Sequence, residues 1–126
     1  MTQVVLAFVY NKIGNVLLAQ RPVGKSYGGF WEFPGGKIEA DETPFQAVVR
    51  ELIEELGITV RPTTKHPSYE FVNDMGTNIL FHPVTCEWDE SEITLNEHQR
   101  VRFVASNEVD SWMLAPPDYG ALKYLR

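Results

Sequence analysis

A single cysteine, Cys86, stands in 126 residues, so no disulfide within the chain can staple the fold. In its apolar stretch it reads as a buried, inert thiol. Long apolar runs are missing as well. The run near the N-terminus, Val4 to Tyr10, is seven residues, far short of the roughly 20 that cross a bilayer as a helix. Neither a basic segment nor a small-residue cleavage site accompanies it, so it reads as a core strand, and the expected location is cytoplasmic with no membrane partner. Basic residues are scarce: Lys and Arg number 11 against 17 acids, a net charge of −6. Without a basic stripe the chain does not match a nucleic-acid backbone; no duplex nucleic acid is expected, and an anionic partner would enter only with its cations. Linkers, repeats and low-complexity tracts are also absent. At this length, with 44% hydrophobic residues, one domain over residues 1–126 with a buried core is expected.

The acid is concentrated in one place. The stretch GKIEADETPFQAVVRELIEELGI, Gly36 to Ile58, holds six acids (Glu39, Asp41, Glu42, Glu51, Glu54, Glu55) and two bases (Lys37, Arg50), and so most of the net charge. Its helix is bounded by clear signals. Thr43 is an N-cap, Pro44 suits the first helical position, Gln46 completes a capping box and Gly57 supplies the left-handed end. At about 100° per residue, Glu54 and Glu55 flank Glu51 with Ala47 between them, while Phe45, Val48, Val49, Leu52 and Leu56 form an apolar stripe elsewhere. Like charges at this spacing cost a few tenths of a kcal/mol per pair, so the cluster points to a divalent cation, and Ala47 leaves room for it. Ahead of the helix, Phe33-Pro34-Gly35-Gly36 is a tight loop in which glycine lets the backbone approach a ligand.

Elsewhere, Gln3–Tyr10 and Asn15–Arg21 read as a hairpin, followed by a Gly-rich loop from Pro22 to Gly29. His66–Val72, Asn78–Glu87 and Arg100–Ala105 read as strands, and Tyr119–Arg126 as a C-terminal helix. Strands mixed with two helical segments imply an α/β fold, a sheet covered on both faces. Arg21 and Lys37 are the candidates for phosphate contacts. His66, His82 and His98 show no mutual metal-ligand spacing and receive no role.

Read as G-x5-E-x7-R-E-U-x-E-E-x-G-U, with U a bulky apolar residue, Gly36, Glu42, Arg50, Glu51, Leu52, Glu54, Glu55, Gly57 and Ile58 fill every position. This resembles the signature of the Nudix hydrolases, and WEFPGGK from Trp31 to Lys37 resembles the MutT-like branch. The resemblance implies a Nudix-type α/β/α sandwich around a mixed sheet, with the box at 36–58. It implies Mg²⁺, or Mn²⁺ in its place, and hydrolysis of a nucleoside or deoxynucleoside triphosphate, an oxidised or modified nucleotide included, to monophosphate and pyrophosphate. Other Nudix substrates (RNA 5′ ends, a dinucleoside polyphosphate, a nucleotide sugar) stay open, as does a non-catalytic nucleotide sensor, although a sensor has no need of the intact box.

Residue by residue, Glu54 and Glu55 match the principal metal ligands of the family, and Glu51 a ligand that is also the favoured general base. Gly35 would add its carbonyl and Glu97 a carboxylate from a later loop, while Arg50 orients a neighbouring carboxylate. Phe33 and Phe71 match walls of a nucleobase pocket closed by Pro116-Pro117-Asp118. MutT carries asparagine near the last position, which both donates and accepts, whereas an ionised Asp118 only accepts. The resemblance implies a monomer or weak homodimer.

Overall fold

The structure, a computed structural model, describes residues 1–126. Its strands are β1 (Thr2–Tyr10), β2 (Val16–Gln20), β3 (Trp31–Glu32), β4 (Gly35–Lys37), β5 (Val60–Lys65), β6 (Tyr69–Val72), β7 (Asn78–Trp88) and β8 (Arg100–Val104), with one helix, α1 (Pro44–Leu56). They form one mixed sheet with the order β3-β2-β1-β7-β5; β4 also pairs with β1, β6 with β7 and β8 with β2. Only β1 and β7 run parallel, from Thr2 opposite Ile79 to Tyr10 opposite Glu87. A parallel pair needs a long crossover, and α1 lies within it.

The apolar run of β1 does not alternate because both of its faces are covered. Val5, Ala7 and Val9 face the cluster made with Ala47, Val48, Leu52 and Leu56 of α1. Leu6, Phe8 and Tyr10 face a second cluster with Trp31, Phe33, Leu114 and Ala121. That second face is covered by two 3₁₀ segments, Ser106–Ser111 and Pro116–Tyr124. The helix expected at Tyr119–Arg126 is a 3₁₀ segment that starts earlier and ends at Tyr124. Bonds such as Asp118 N–H to the Ala115 carbonyl span three residues, and a Cβ on Gly120 would lie 2.5 Å from the Tyr69 ring. The fold is α/β, but its second helical layer is 3₁₀.

Helix α1 starts and ends where its signals place it. Gln46 N–H donates to Thr43 Oγ1 at 3.1 Å and Thr43 N–H donates back to Gln46 Oε1 at 2.9 Å, while Gly57 takes φ 65°. Its faces are rotated from the expected ones. Ala47 is fully buried in the core and leaves no room there for an ion, whereas Phe45 is 38% exposed. Strand β5, VRPTTK, went unseen in the sequence because it is polar and contains Pro62. As a sheet edge with a bulge between Pro62 and Thr64, it tolerates both. The strand expected from His66 begins at Tyr69.

Candidate active site

Arg50 organises the box. Its Nε and Nη2 donate to the two oxygens of Glu42 at 2.7 and 2.9 Å, Nη1 donates to Glu51 at 2.9 Å and to Glu54 at 3.3 Å, and Nη2 also reaches the Lys37 carbonyl at 2.9 Å. The Arg50 fork and the Glu39 N–H hold the Glu42 carboxyl down at about 2, and Glu42 first among its partners raises Arg50 above its usual range. The planar guanidinium suits this bidentate grip. Gly36 on β4 lets α1 come close: a Cβ there would lie 2.5 Å from the Glu51 carboxylate.

The three helix glutamates do not share one exposed face. Glu54 has a half-exposed side chain turned to Arg50, whereas Glu55 is 2% exposed. Glu55 Oε2 is buried without a hydrogen-bond partner. Burial, then the neighbouring Glu51, Glu32 and Glu97 carboxylates, push its carboxyl up to about 10. An oxygen in that state requires a proton or a cation. Glu55 lines a polar cleft of about 400 Å³ together with Glu97, Glu32, His98, Arg21 and Gly35. The loop bearing Glu97 is tied to the helix end by Asn96 N–H to the Glu55 carbonyl at 3.1 Å and Thr94 N–H to the Leu56 carbonyl at 2.8 Å. No three acidic or imidazole side chains stand at ligand spacing about one point. The cleft's carboxylates and the Gly35 carbonyl are nevertheless of the hard-oxygen kind that Mg²⁺ takes, and the Glu55 Oε2 among them is unpartnered.

A second cavity, of about 290 Å³, adjoins the cleft and shares Arg21, Glu32 and Gly35 with it. Leu6, Phe33, Ile79 and Phe81 give it apolar walls, and Asp118 lies in its lining. Phe33 is itself fixed edge-on against Phe8, centroids 4.9 Å apart. Asp118 is 3% exposed and its Oδ2 accepts the Phe33 N–H at 2.8 Å. Burial first, then the charge of Glu32, raises its carboxyl well above the usual range. The raised carboxyl favours its protonated form, which presents a donor as well as an acceptor, whereas the ionised form only accepts.

Of the residues singled out in the sequence, the structure brings Arg21, Gly35, Glu55 and Glu97 to the cleft and Phe33 and Asp118 to the cavity. Arg50, Glu51 and Glu54 form the ion-pair network beside them. Two stand apart. Phe71, opposite Ile79 on β7, packs against the second cluster outside the cavity lining, where Phe81 stands instead. Lys37 is exposed and borders a separate groove with Glu39 and Asp41. Sequence reasoning missed Glu32 and His98. Glu32 donates nothing but accepts from Arg21 Nη1 at 3.0 Å, and His98 Nε2 lies 2.8 Å from its other oxygen. The one available signal was an acid set between Trp31 and Phe33. His66 and His82 make local bonds to Thr85, Ser68 and Gln3.

The NUDIX domain family model matches residues 1–125. The chain is 36% identical over 119 residues to the CTP pyrophosphohydrolase of Escherichia coli, covering 94% of this chain and 87% of that protein. It is 57% identical over 56 residues to an 8-oxo-dGTP diphosphatase of Proteus vulgaris, a match that covers 44% of this chain and spans only half, 50%, of that relative. Among solved structures, the E. coli ORF135 protein superposes with a TM-score of 0.79 at 35% identity, covering 98% of this chain and 86% of that one. The MutT protein of Methanosarcina mazei shares the fold, with a TM-score of 0.84 at 24% identity over 96% of this chain and 88% of that one. Box, fold and full-length likeness agree, and the chain belongs to the Nudix hydrolase family, in its MutT-like branch.

Proposed function

We propose that residues 1–126 form one catalytic domain, acting in the cytoplasm, that hydrolyses a nucleoside or deoxynucleoside triphosphate to monophosphate and pyrophosphate with Mg²⁺, or Mn²⁺ in its place. The observation that carries this reading is the junction of an acidic cleft with an apolar cavity, which meet at Arg21, Glu32 and Gly35. A base in the cavity leads its phosphates past Arg21 toward Glu55. The cavity is at the low end of small-molecule sites, roughly 300–1,000 Å³, which suits one base and disfavours two nucleosides. Glu51, Glu54, Glu55, Glu97 and the Gly35 carbonyl are the donors for the cation, Glu54 after releasing Arg50. A cation bound there would neutralise charge on the phosphates and lower the pKa of the attacking water. Glu51, which accepts from Arg50 at 2.9 Å, would take that water's proton as the general base.

Phe33 walls the base and Asp118 reads its edge. The relative that matches 94% of this chain is named for CTP, while those named for 8-oxo-dGTP match between 44% and 68% of it, and a putative one 80%. CTP and its deoxy or modified counterparts are therefore the first substrates to test, with 8-oxo-dGTP as competitor. Turnover of this panel with Mg²⁺, run in ¹⁸O-labelled water, tests the reading. Label in pyrophosphate is the expected result; label in the monophosphate would reverse the pose, and no turnover of any triphosphate would overturn the function.

A further inference from the structure

The Arg21–Glu32 pair sits where the two cavities meet, and it is incomplete in a particular way. Arg21 Nη1 donates to Glu32 Oε1 at 3.0 Å and Arg21 Nε donates to the Ser26 carbonyl at 2.6 Å. Its Nη2 makes no hydrogen bond within the chain. An arginine beside a carboxylate ordinarily closes the two-bond fork, as Arg50 does on Glu42. Here Glu32 Oε2 is occupied instead by His98 Nε2 at 2.8 Å. His98 is held firmly enough to enforce this, since its side chain is 4% exposed and its Nε2 also lies 3.7 Å from Glu55 Oε1. Its backbone comes from the loop whose neighbours Asn96 and Gln99 bond to the Glu55 and Gln20 carbonyls at 3.1 and 3.0 Å.

We propose that His98 is a positioning residue for Arg21: by taking the second oxygen of Glu32, it restricts Glu32 to a single bond and leaves the far edge of the guanidinium free for a phosphate of the substrate. This rests on the nucleotide reading above. Without the imidazole donor, Glu32 Oε2 turns to Arg21, the fork closes, and the substrate must break an ion pair to bind. The loss then falls first on substrate affinity, because Glu51 and Glu54 with Arg50 are untouched, and only the 3.7 Å approach of His98 to Glu55 reaches the chemical step.

Steady-state kinetics on the nucleotide that wild type turns over best tests this. His98→Phe keeps the ring but cannot donate, and should raise KM about tenfold, the scale of one charge-assisted hydrogen bond, with kcat changed far less. His98→Asn, smaller, polar and too short to reach Glu32, should do the same and serves if the Phe variant folds poorly. His98→Gln, whose amide can reach Glu32, should restore most of the affinity. In an Arg21→Gln background, His98→Asn should add nothing further, because the two residues act through one contact. An unchanged KM in both His98→Phe and His98→Asn, a loss confined to kcat, or full additivity with Arg21→Gln would overturn the proposal alone. Absence of turnover in wild type would overturn the nucleotide reading and this proposal with it.

Discussion

The acidic cleft and the apolar cavity share three residues, yet they are built in opposite ways. The cleft takes Glu55 from α1, beside the Arg50 network of the same helix, Gly35 from the adjoining β4, Glu97 from a loop tied to the helix end, and Glu32 from β3. The cavity takes Leu6 from β1, Phe33 from the end of β3, Ile79 and Phe81 from β7, and Asp118 from the 3₁₀ segment at Pro116–Tyr124. Charge at helical spacing can be read along a chain; walls drawn from four separate segments cannot. The same contrast divides the carboxyl groups. Glu54 and Glu55 are neighbours in sequence with opposite exposure, while the charge of Glu32 acts on Asp118, 86 positions away, across the cavity.

Four substitutions press on this contrast. The largest effect belongs to the cleft: Glu55→Gln or Glu54→Gln should remove nearly all turnover, on the order of a thousandfold in kcat, because the amide keeps shape and loses the charge that holds the cation. A folded Glu55→Gln protein with wild-type kcat would remove the cleft from the chemistry. Next comes the cavity. Asp118→Asn replaces a buried carboxyl with a carboxamide and should shift kcat/KM between bases by about 1–3 kcal/mol, leaving the Mg²⁺ dependence as it is. A base ranking unmoved by this change would show that recognition rests on Phe33 and backbone groups.

Smaller effects concern stability. The folded Glu55 carboxyl, at about 10 against 4.5 unfolded, keeps a proton that the unfolded chain gives up. Its contribution is thus full below pH 4.5 and is lost as pH rises toward 10. Asp118, also raised, acts in the same direction. Glu42 works in a separate window, its contribution lost as pH falls from 4.5 through about 2. In EDTA the melting temperature should therefore decline from mildly acid to alkaline pH. Glu55→Gln should flatten that decline, and Mg²⁺ should raise the melting temperature most at the alkaline end by binding the native state. Equal slopes for wild type and Glu55→Gln would locate the titration elsewhere. The smallest expected change is Thr43→Ala, which removes half of the capping box and should cost about 1 kcal/mol in denaturant unfolding without moving the base ranking. A changed ranking would mean that the cavity depends on the helix start more than its separate construction suggests.

Sequence by itself determined helix α1 to the residue, the family, the acids of the box and the core strands β1 and β7, because each is written in local spacing: caps, a 3.6-residue period, an unbroken apolar run. Tertiary structure alone decided the rest. Ala47 went to the core and Glu55 inward because Gly36 lets the helix settle on β4, a contact that helical periodicity cannot foresee. Phe81, and not Phe71, lines the cavity because strand register decides which aromatic reaches it. The C-terminal segment became 3₁₀ where Gly120 meets the Tyr69 ring. Glu32 and His98, 66 positions apart, entered the site only through the pairing of β2 with β3 and the return of the loop before β8; burial and long-range proximity are properties of the folded chain.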